Sequence, residues 1–318
     1  MEYDCNLKER TKQMAKVIEA DRGFKVWWHL MRPHTLTASF APVLLGTVIA
    51  LVIEQHTINF LLFFAMLVAS MLIQAATNMF NEYYDYKLGL DNENSVGIGG
   101  TIVRHGVQPK TIMQIALVFY GVAMLLGVYI CAMSSWWLVA VGLVCMAIGY
   151  LYTGGPYPIA YSPFGELVSG AVMGSGIVLI AFFIQTGTVT LEAFLISVPS
   201  MILVGAIMLS NNIRDIEGDT IGGRKTMAIL VGRNNAVYIL MLFFIVSFLW
   251  IVGLVVIEDL TYWALLVLLC IPLPIRAVET FRDKKEPLEV MPAMAKTAKT
   301  NTFFAFLLSI GLFISYFV

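Results

Sequence analysis

Residues 58–85 read INFLLFFAMLVASMLIQAATNMFNEYYD, and this stretch decides the fold. Its apolar part is longer than the roughly 20 residues that a helix needs to cross the hydrocarbon of a bilayer. Polar side chains follow at once, because Asn81, Glu82 and Asp85 stand at the end of the run. The stretch therefore predicts a membrane helix that carries carboxylate and amide oxygens to one face of the membrane.

The composition of the whole chain agrees with a protein embedded in lipid. Of the 318 residues, 59% are hydrophobic and 13% are charged, with a mean hydropathy of +0.81, whereas soluble domains carry about 25% charged residues. Nine runs are apolar enough to be membrane helices: 36–53, 58–84, 111–133, 136–152, 165–185, 191–210, 236–257, 262–277 and 302–318. We predict an all-α, polytopic membrane helix bundle of about nine transmembrane helices. Its surroundings are the lipid bilayer, and no nucleic-acid partner is expected.

The positions of the cationic residues provide a check on the number of runs. All 20 Lys and Arg fall before the first run or close to the connections that follow the second, sixth and eighth runs, and hence on one face of the bundle. Connections rich in Lys and Arg stay in the cytoplasm. We therefore predict a multi-pass protein of the cell (plasma) membrane with a cytoplasmic amino terminus and the carboxyl terminus outside.

Two regions are expected along the chain. Residues 1–33 are polar and amphipathic, which predicts a cytoplasmic or interfacial segment rather than a signal peptide. Residues 34–318 contain all nine runs and are expected to form a single intramembrane domain.

Two clusters of polar residues lie in the cytoplasmic connections after the second and sixth runs. Asn81 and Asp85 are four residues apart, as are Asn211, Asp215 and Asp219, so helical turns would stack each set on one side. Asp215 lies 130 residues after Asp85, and each cluster is followed by Ile-Gly-Gly and a basic residue. We infer a degenerate internal duplication with repeats of four helices.

Oxygen ligands without His or Cys are typical of a magnesium site, because Mg²⁺ takes one or two carboxylates and completes its shell with water and phosphate oxygens. The four Cys and four His show no metal-ligand spacing, so a zinc site is not expected. Solvated helix ends are the simpler alternative, but a carboxylate at a helix carboxyl terminus opposes the helix dipole by about 0.3–1 kcal/mol. The candidate metal ligands are Asn81, Asp85, Asp91, Asp215 and Asp219.

Glycines and cations next to both clusters suit a phosphate ligand. The run SVGIGG at residues 95–100 would let backbone amides approach an anion closely. Arg104, Arg224 and Lys225 add positive charge beside the carboxylates. The clusters together predict a site for a diphosphate held through Mg²⁺.

The two clusters have a specific resemblance. Asn81-Glu82-x-x-Asp85-x-x-x-Gly89-x-Asp91 and Asp215-x-x-x-Asp219 resemble the aspartate-rich motifs of the UbiA superfamily of intramembrane prenyltransferases. The segments that begin at residues 32, 95, 152 and 211 are most similar to the 1,4-dihydroxy-2-naphthoate polyprenyltransferase branch, which serves menaquinone synthesis. The first motif departs from the superfamily pattern, because Gly89 replaces its second carboxylate and Asp91 follows two residues later.

This resemblance implies an enzyme that uses Mg²⁺ to transfer a polyprenyl group from polyprenyl diphosphate to an aromatic acceptor. It implies 1,4-dihydroxy-2-naphthoate as the acceptor, with decarboxylation, and demethylmenaquinone as the product. The implied catalytic residues are Asn81, Asp85, Asp215 and Asp219. The implied substrate-binding residues are Arg104, Arg224, Lys225, Asn211 and Tyr152, with Arg32 as partner of the acceptor's carboxylate. Aromatic rings that would flank the allylic cation are Tyr83, Tyr84, Tyr152 and Tyr157.

Three other functions remain open at the level of the sequence. A related enzyme could act on 4-hydroxybenzoate, but the 153–163 connection lacks the Lys-Arg pair typical of that branch. An ion-coupled transporter could use intramembrane acids, but the acids in the two clusters gather at one face. A phosphatidyltransferase would be expected to carry an Asp-Gly-x-x-Ala-Arg motif, which is absent from the chain.

Overall fold

The computed structural model describes residues 23–55, 57–91 and 100–318, and these residues form an all-helical bundle without strands. In chain order the helices are α1 (Phe24–Leu30), α2 (Pro33–Ile53), α3 (Phe60–Lys87), α4 (Thr101–His105), α5 (Pro109–Met133), α6 (Leu138–Leu151), α7 (Gly165–Ser169), α8 (Ile177–Thr186), α9 (Leu191–Ile221), α10 (Met227–Val231), α11 (Arg233–Val256), α12 (Pro272–Asp283) and α13 (Pro287–Ser315). A π-helical stretch, Gly170–Gly176, joins α7 to α8, and a 3₁₀ stretch, Tyr262–Cys270, leads into α12.

The prediction of an all-α membrane bundle is confirmed. Within the described ranges, eight continuous helical segments are long and apolar enough to cross a membrane. One of them, the α7–α8 rod, consists of α7, the π-helical stretch and α8. The predicted fourth run, 136–152, is the exception: its helix α6 has only 14 residues, about 21 Å at 1.5 Å per residue, against roughly 30 Å of hydrocarbon. Hydropathy overestimated its length because Trp136 and Trp137 are apolar but belong to the turn before α6.

Glycines let the central helices approach closely. A Cβ at Gly174 would lie 2.5 Å from the Cα of Met201 on α9, and one at Gly46 would lie 2.2 Å from the carbonyl oxygen of Val178. Small residues at such crossings are typical of membrane helices, where association depends on van der Waals packing rather than on the hydrophobic effect. These contacts hold α2 against α8, and the π-helical stretch between α7 and α8 against α9.

The two long helices α3 and α9 are capped in the same way. The side chain of Asn59 accepts hydrogen bonds from the first-turn amides of α3, and Thr190 accepts one from Ala193 at the start of α9. Such caps satisfy amides that have no partner inside the helix. Both helices run without a break from these caps to the polar clusters.

The clusters lie on helical turns, and the prediction that they lie in connecting loops is wrong. Asp85 belongs to the last turn of α3, and residues 211–219 all belong to α9. The carboxyl-terminal ends of α3 and α9 meet, because Leu90, just after α3, packs on Gly222, just after α9. A Cβ at Gly222 would fall 2.0 Å from the Leu90 Cδ2 atom. The helices therefore deliver the two motifs side by side.

Several cations assigned to the connection between the eighth and ninth runs also lie in helices. Arg276 and Arg282 belong to α12, while Lys296 and Lys299 belong to α13. The helix α13 begins at Pro287 and is polar in its first half, so hydropathy detects only its second half.

Part of the sequence prediction concerns residues outside the described ranges. The segment 1–33 falls mostly there, and only α1 represents it, with Trp27 and Trp28 exposed. The glycine-rich run is described only from Gly100 onward.

Candidate active site

A long cavity of about 320 Å³ lies among α2, α3, α5, α6, the α7–α8 rod and α9. On α3 its wall extends from Met66 to Asn81, about 22 Å at 1.5 Å per residue. Most of the lining is apolar. Among the polar residues of the lining, Arg32, Asn81, Tyr152 and Asn211 come from four separate segments.

Those four residues were predicted from the sequence as site residues, and the structure brings them to one cavity. Asn81 is fixed by the hydroxyl of Thr153, which donates to its Oδ1 at 2.7 Å. One helical turn earlier, the Asn78 amide donates to the carbonyl of Met31 at 3.0 Å, which ties the segment before Arg32 to α3. Arg32 has φ +51°, and its buried Nε has no hydrogen-bond partner within the described part of the chain.

Arg224 connects the two aspartate motifs. Its Nη1 donates to Asp219 Oδ1 at 2.9 Å, and its Nη2 donates to Asp85 Oδ1. The guanidinium also lies 5.3 Å from the centre of the Tyr161 ring, a cation–π distance. Burial opposes the charge on Arg224, but the carboxylates of Asp85 and Asp219 outweigh it and raise the pKa of the guanidinium. One cation therefore holds both motifs.

Asp215 has a different partner. Its carboxylate accepts two hydrogen bonds of 2.6 Å from the neighbouring Arg214. The same guanidinium lies 3.4 Å from the sulfur of Met294 and 3.7 Å from that of Met291, both on α13. Sequence reasoning missed Arg214, although its place directly before Asp215 in the motif was a usable signal.

Asp91 stays close to the first motif despite its displaced position. Its backbone amide donates to the carbonyl of Asp85 at 3.1 Å, and the turn that returns it there passes through Gly89 at φ +75°, a conformation that glycine adopts easily. Burial, helped by the charge of Asp85, raises the pKa of Asp91 to about 6. Its role as a metal ligand stays a prediction.

The 153–163 connection is docked on both motifs. Thr153 contacts Asn81 of the first motif, and the carbonyl of Tyr161 accepts from the Lys225 amide at 3.1 Å after the second. Tyr157 is 92% exposed and does not line the cavity. Tyr84 is hydrogen-bonded to Tyr150 outside the cavity lining. Of the four tyrosines predicted beside an allylic cation, Tyr152 is the one in the cavity wall.

The predicted cations are not all in the cavity wall. The Lys225 side chain is exposed, and Arg104 lies on the short helix α4. Neither lines the cavity. Their contact with a diphosphate therefore stays a prediction.

Two buried glutamates accompany the motifs, and sequence reasoning gave neither a role: Glu82 belongs to the first motif, and Glu166 contacts the helix of the second. Glu82 Oε1 accepts from the Ile102 amide of α4 at 3.1 Å, and Glu166 Oε1 accepts from the Asn212 side chain at 2.8 Å. Their Oε2 atoms are buried with no hydrogen-bond partner in the described residues. Each glutamate anchors one motif helix to a neighbouring segment.

The oxygen donors suit Mg²⁺. Within the described ranges, no three His, Cys, Asp or Glu side chains converge as a preformed metal cage. Mg²⁺ does not need one, since one or two carboxylates with water and phosphate oxygens complete its shell. Asp85 and Asp219 both contact the guanidinium of Arg224, so the two motifs present their carboxylates to the same place.

Comparison with known sequences identifies the family. The UbiA prenyltransferase family model matches residues 39–295. The chain is 61% identical over 293 residues to the 1,4-dihydroxy-2-naphthoate octaprenyltransferase of Bacillus subtilis (strain 168), covering 92% of this chain and 94% of that protein. It is 31% identical to UbiA prenyltransferase domain-containing protein 1 of Xenopus tropicalis, covering 89% and 78%.

Solved structures share the fold at low identity. A UbiA homolog from Aeropyrum pernix K1 aligns with a TM-score of 0.66 at 14% identity, covering 90% of this chain and 98% of that chain. A UbiA homolog from Archaeoglobus fulgidus bound to DMAPP and Mg²⁺ aligns with a TM-score of 0.56 at 15% identity, covering 89% and 98%. The paired motifs, the matched domain and the shared fold agree, and the chain belongs to the UbiA prenyltransferase family.

Proposed function

We propose that this protein transfers a polyprenyl group from polyprenyl diphosphate to 1,4-dihydroxy-2-naphthoate and so makes demethylmenaquinol, the hydroquinone form of demethylmenaquinone, for menaquinone biosynthesis. The observation that carries the proposal is the continuity of the site: a long apolar cavity shares Asn81 and Asn211 with the two motif helices. The 61% identity to a 1,4-dihydroxy-2-naphthoate octaprenyltransferase supports this choice of acceptor.

The cavity suits the prenyl chain. Burial of apolar surface is favourable by about 25 cal/mol per Å², and the walls of the cavity on α5 and α6 are mainly apolar. The same walls exclude water from the allylic carbon, which protects a developing cation from hydrolysis. The Tyr152 ring in the wall is suited to stabilise that cation.

The diphosphate belongs at the motif end. Asp85, Asp215 and Asp219, with Asn81, are the residues that would hold Mg²⁺, and Asp91 is a further candidate. A Mg²⁺ ion held by these residues would supply the positive charge that makes diphosphate a good leaving group. Asn211 would bind the substrate. Arg224, Lys225 and Arg104 are the cations that would bind the diphosphate oxygens directly.

The acceptor completes the reaction. Its electron-rich ring carbon forms the new C–C bond as the diphosphate leaves with the electron pair of the broken bond. Loss of CO₂ from that carbon then returns the pair that restores the aromatic ring. Arg32 at the cavity wall is the proposed partner of the acceptor's carboxylate. We expect the site to lie at the cytoplasmic face of the cell membrane, since Lys and Arg gather at the end of the bundle that carries the two motifs.

Product identification tests the proposal. Membranes that contain the protein are incubated with labelled polyprenyl diphosphates of several lengths, Mg²⁺ and 1,4-dihydroxy-2-naphthoate, and products are identified by mass. We expect a prenylated naphthalene product that lacks the carboxyl group. Membranes with an Asp219→Asn variant are the control. Prenylation of 4-hydroxybenzoate but not of the naphthoate would overturn the acceptor, and no prenylated product from any ring would overturn the reaction.

A further inference from the structure

Arg224 is held at a fixed place between the two motifs. Its backbone amide donates to the carbonyl of Asp219 at 2.9 Å, which closes the turn after α9. That turn passes through Gly223 at φ +75°. The side chain is 14% exposed, and Tyr161 covers one face of the guanidinium. Arg224 is thus a built part of the site rather than a mobile surface cation.

The bridge that Arg224 forms between Asp85 and Asp219 reduces the repulsion between these two carboxylates. Two carboxylates brought to one place repel each other, which disfavours their charged forms. A guanidinium remains charged, and its planar fork can serve two carboxylates at once. In this structure the two Nη atoms of Arg224 contact Oδ1 of Asp85 and Oδ1 of Asp219. Charge compensation of the two motifs therefore comes from the chain itself.

A divalent cation would need the same groups. A metal on either carboxylate would meet the positive guanidinium at hydrogen-bond distance from its ligands, and like charges at such separations repel. A diphosphate reverses this balance, because it offers the guanidinium new anionic oxygens in bidentate geometry.

We propose that Arg224 is an internal counter-ion that competes with Mg²⁺ for Asp85 and Asp219 and passes to the diphosphate when the two bind together. This role rests on the proposed function, since it takes the ligand to be a metal diphosphate. It makes metal and diphosphate binding mutually supportive. The diphosphate draws Arg224 away from the carboxylates that the metal requires, and the metal displaces Arg224 from those carboxylates and so releases it for the diphosphate. Positive coupling between the two ligands is the thermodynamic consequence.

Metal titration tests the competition without any turnover. Mn²⁺ binding to the purified, detergent-solubilised protein is measured by titration calorimetry and electron paramagnetic resonance, with and without inorganic pyrophosphate. Arg224→Gln removes the competing charge at similar size. We expect this variant, without pyrophosphate, to bind Mn²⁺ at least about tenfold more tightly than the wild type, equivalent to about 1.4 kcal/mol.

Arg282→Gln is the matched control. Arg282 also lies over a tyrosine ring, at 6.0 Å from the centre of Tyr238, but on α12. Its Mn²⁺ affinity should equal that of the wild type. Mn²⁺ binding by Arg224→Gln that is equal to or weaker than wild-type binding would overturn the proposal.

Thermal stability gives a second readout. In EDTA, Arg224→Gln leaves the two carboxylates without their bridge, so it should melt below the wild type, and Mn²⁺ should restore it. A variant that folds only in Mn²⁺ also fulfils the expectation, whereas one that Mn²⁺ fails to restore counts against it. Wild-type product formation decides the proposed function separately, so failure of one leaves the other distinguishable.

Discussion

At the scale of single residues, the carboxylates of Asp85 and Asp219 matter most, because each contacts the one cation that joins the motifs. We predict that Asp85→Asn and Asp219→Asn each lower kcat/KM by about 10²- to 10³-fold, the range seen when one group that stabilises developing charge is removed. Labelled product formation in membranes measures this, with protein amount fixed by immunoblot. Near-normal rates in both variants would show that the diphosphate binds elsewhere.

Metal removal follows from the same residues. All the candidate ligands are oxygen donors, which bind hard cations. We predict that EDTA abolishes prenyl transfer and that Mg²⁺ or Mn²⁺ restores it. The assay is product formation before and after the metal is added back. Full activity in excess chelator would contradict a metal-dependent site.

The buried Glu166 gives a prediction about stability. Glu166→Ala removes the acceptor of the half-buried Asn212 side chain; a fully buried group left without its partner costs about 1–3 kcal/mol, so we expect a loss of about 1 kcal/mol here. The melting temperature of this variant should fall, while Glu166→Gln, which keeps an oxygen for Asn212, should stay close to the wild type. Equal melting temperatures for the alanine and glutamine variants would show that the hydrogen bond contributes nothing.

Residue types at a spacing of four predicted the carboxylates of both motifs, because that pattern depends only on the local helix. The partners of Arg214, Glu82 and Glu166 could not be predicted in the same way. Glu166 meets Asn212 across 46 positions of sequence, and Arg214 reaches α13 through Met294, 80 positions away. Such contacts depend on how the helices pack, which the local pattern does not encode.

At the scale of helices, α6 forms one wall of the cavity although it is too short to cross a bilayer alone. Gly142 on α6 lines the cavity, and a Cβ added there would meet no atom within 4 Å. Its distance from the Tyr152 end is about 15 Å along the helix. The available space at Gly142 therefore belongs to the apolar part of the cavity.

We predict that Gly142→Leu shortens the usable cavity. The KM for long polyprenyl diphosphates should rise several-fold, while that for dimethylallyl diphosphate should stay the same, because only a long chain reaches this depth. Gly121→Leu is the control, since Gly121 on α5 has the same space but does not line the cavity. An equal change for short and long substrates would mean that Gly142 does not bound the chain site.

Helix boundaries show the limit of hydropathy in the same region. Hydropathy locates apolar runs, and within the described residues each of the nine predicted runs falls on a helical segment, although the fourth is too short to span a bilayer. It stopped at residues 84 and 210, whereas α3 continues to Lys87 and α9 to Ile221. Polar residues end a hydropathy signal without ending a helix, and in both cases the polar extension carries the motif.

At the scale of the whole molecule, the proposed acceptor site is assembled from parts that are distant in sequence. Arg32 comes from the start of α2, Asn81 from α3 and Tyr152 from the end of α6. The 153–163 connection, which contacts both motifs, contains no cation. Among the described residues that line the cavity, Arg32 is therefore the cation available to an acceptor's carboxylate.

This arrangement predicts discrimination between ring acceptors. A small hydroxybenzoate would lack a paired cation from the 153–163 connection, a contact worth about 1.5–3 kcal/mol for a charged hydrogen bond. That difference corresponds to roughly 10- to 150-fold in kcat/KM, since about 1.4 kcal/mol is a factor of ten. The larger fused ring of the naphthoate offsets the loss through apolar contact, at about 25 cal/mol per Å² buried.

Arg32→Ala makes the argument testable in one protein. It should raise the KM for 1,4-dihydroxy-2-naphthoate by about tenfold or more, the effect of about 1.4 kcal/mol, and change the KM for polyprenyl diphosphate much less. Steady-state kinetics with each substrate varied in turn measures the two effects, and Arg32→Lys should recover part of the loss because its charge remains. Comparable wild-type turnover of 4-hydroxybenzoate, or a larger effect of Arg32→Ala on the diphosphate, would refute this acceptor site while leaving prenyl transfer itself intact.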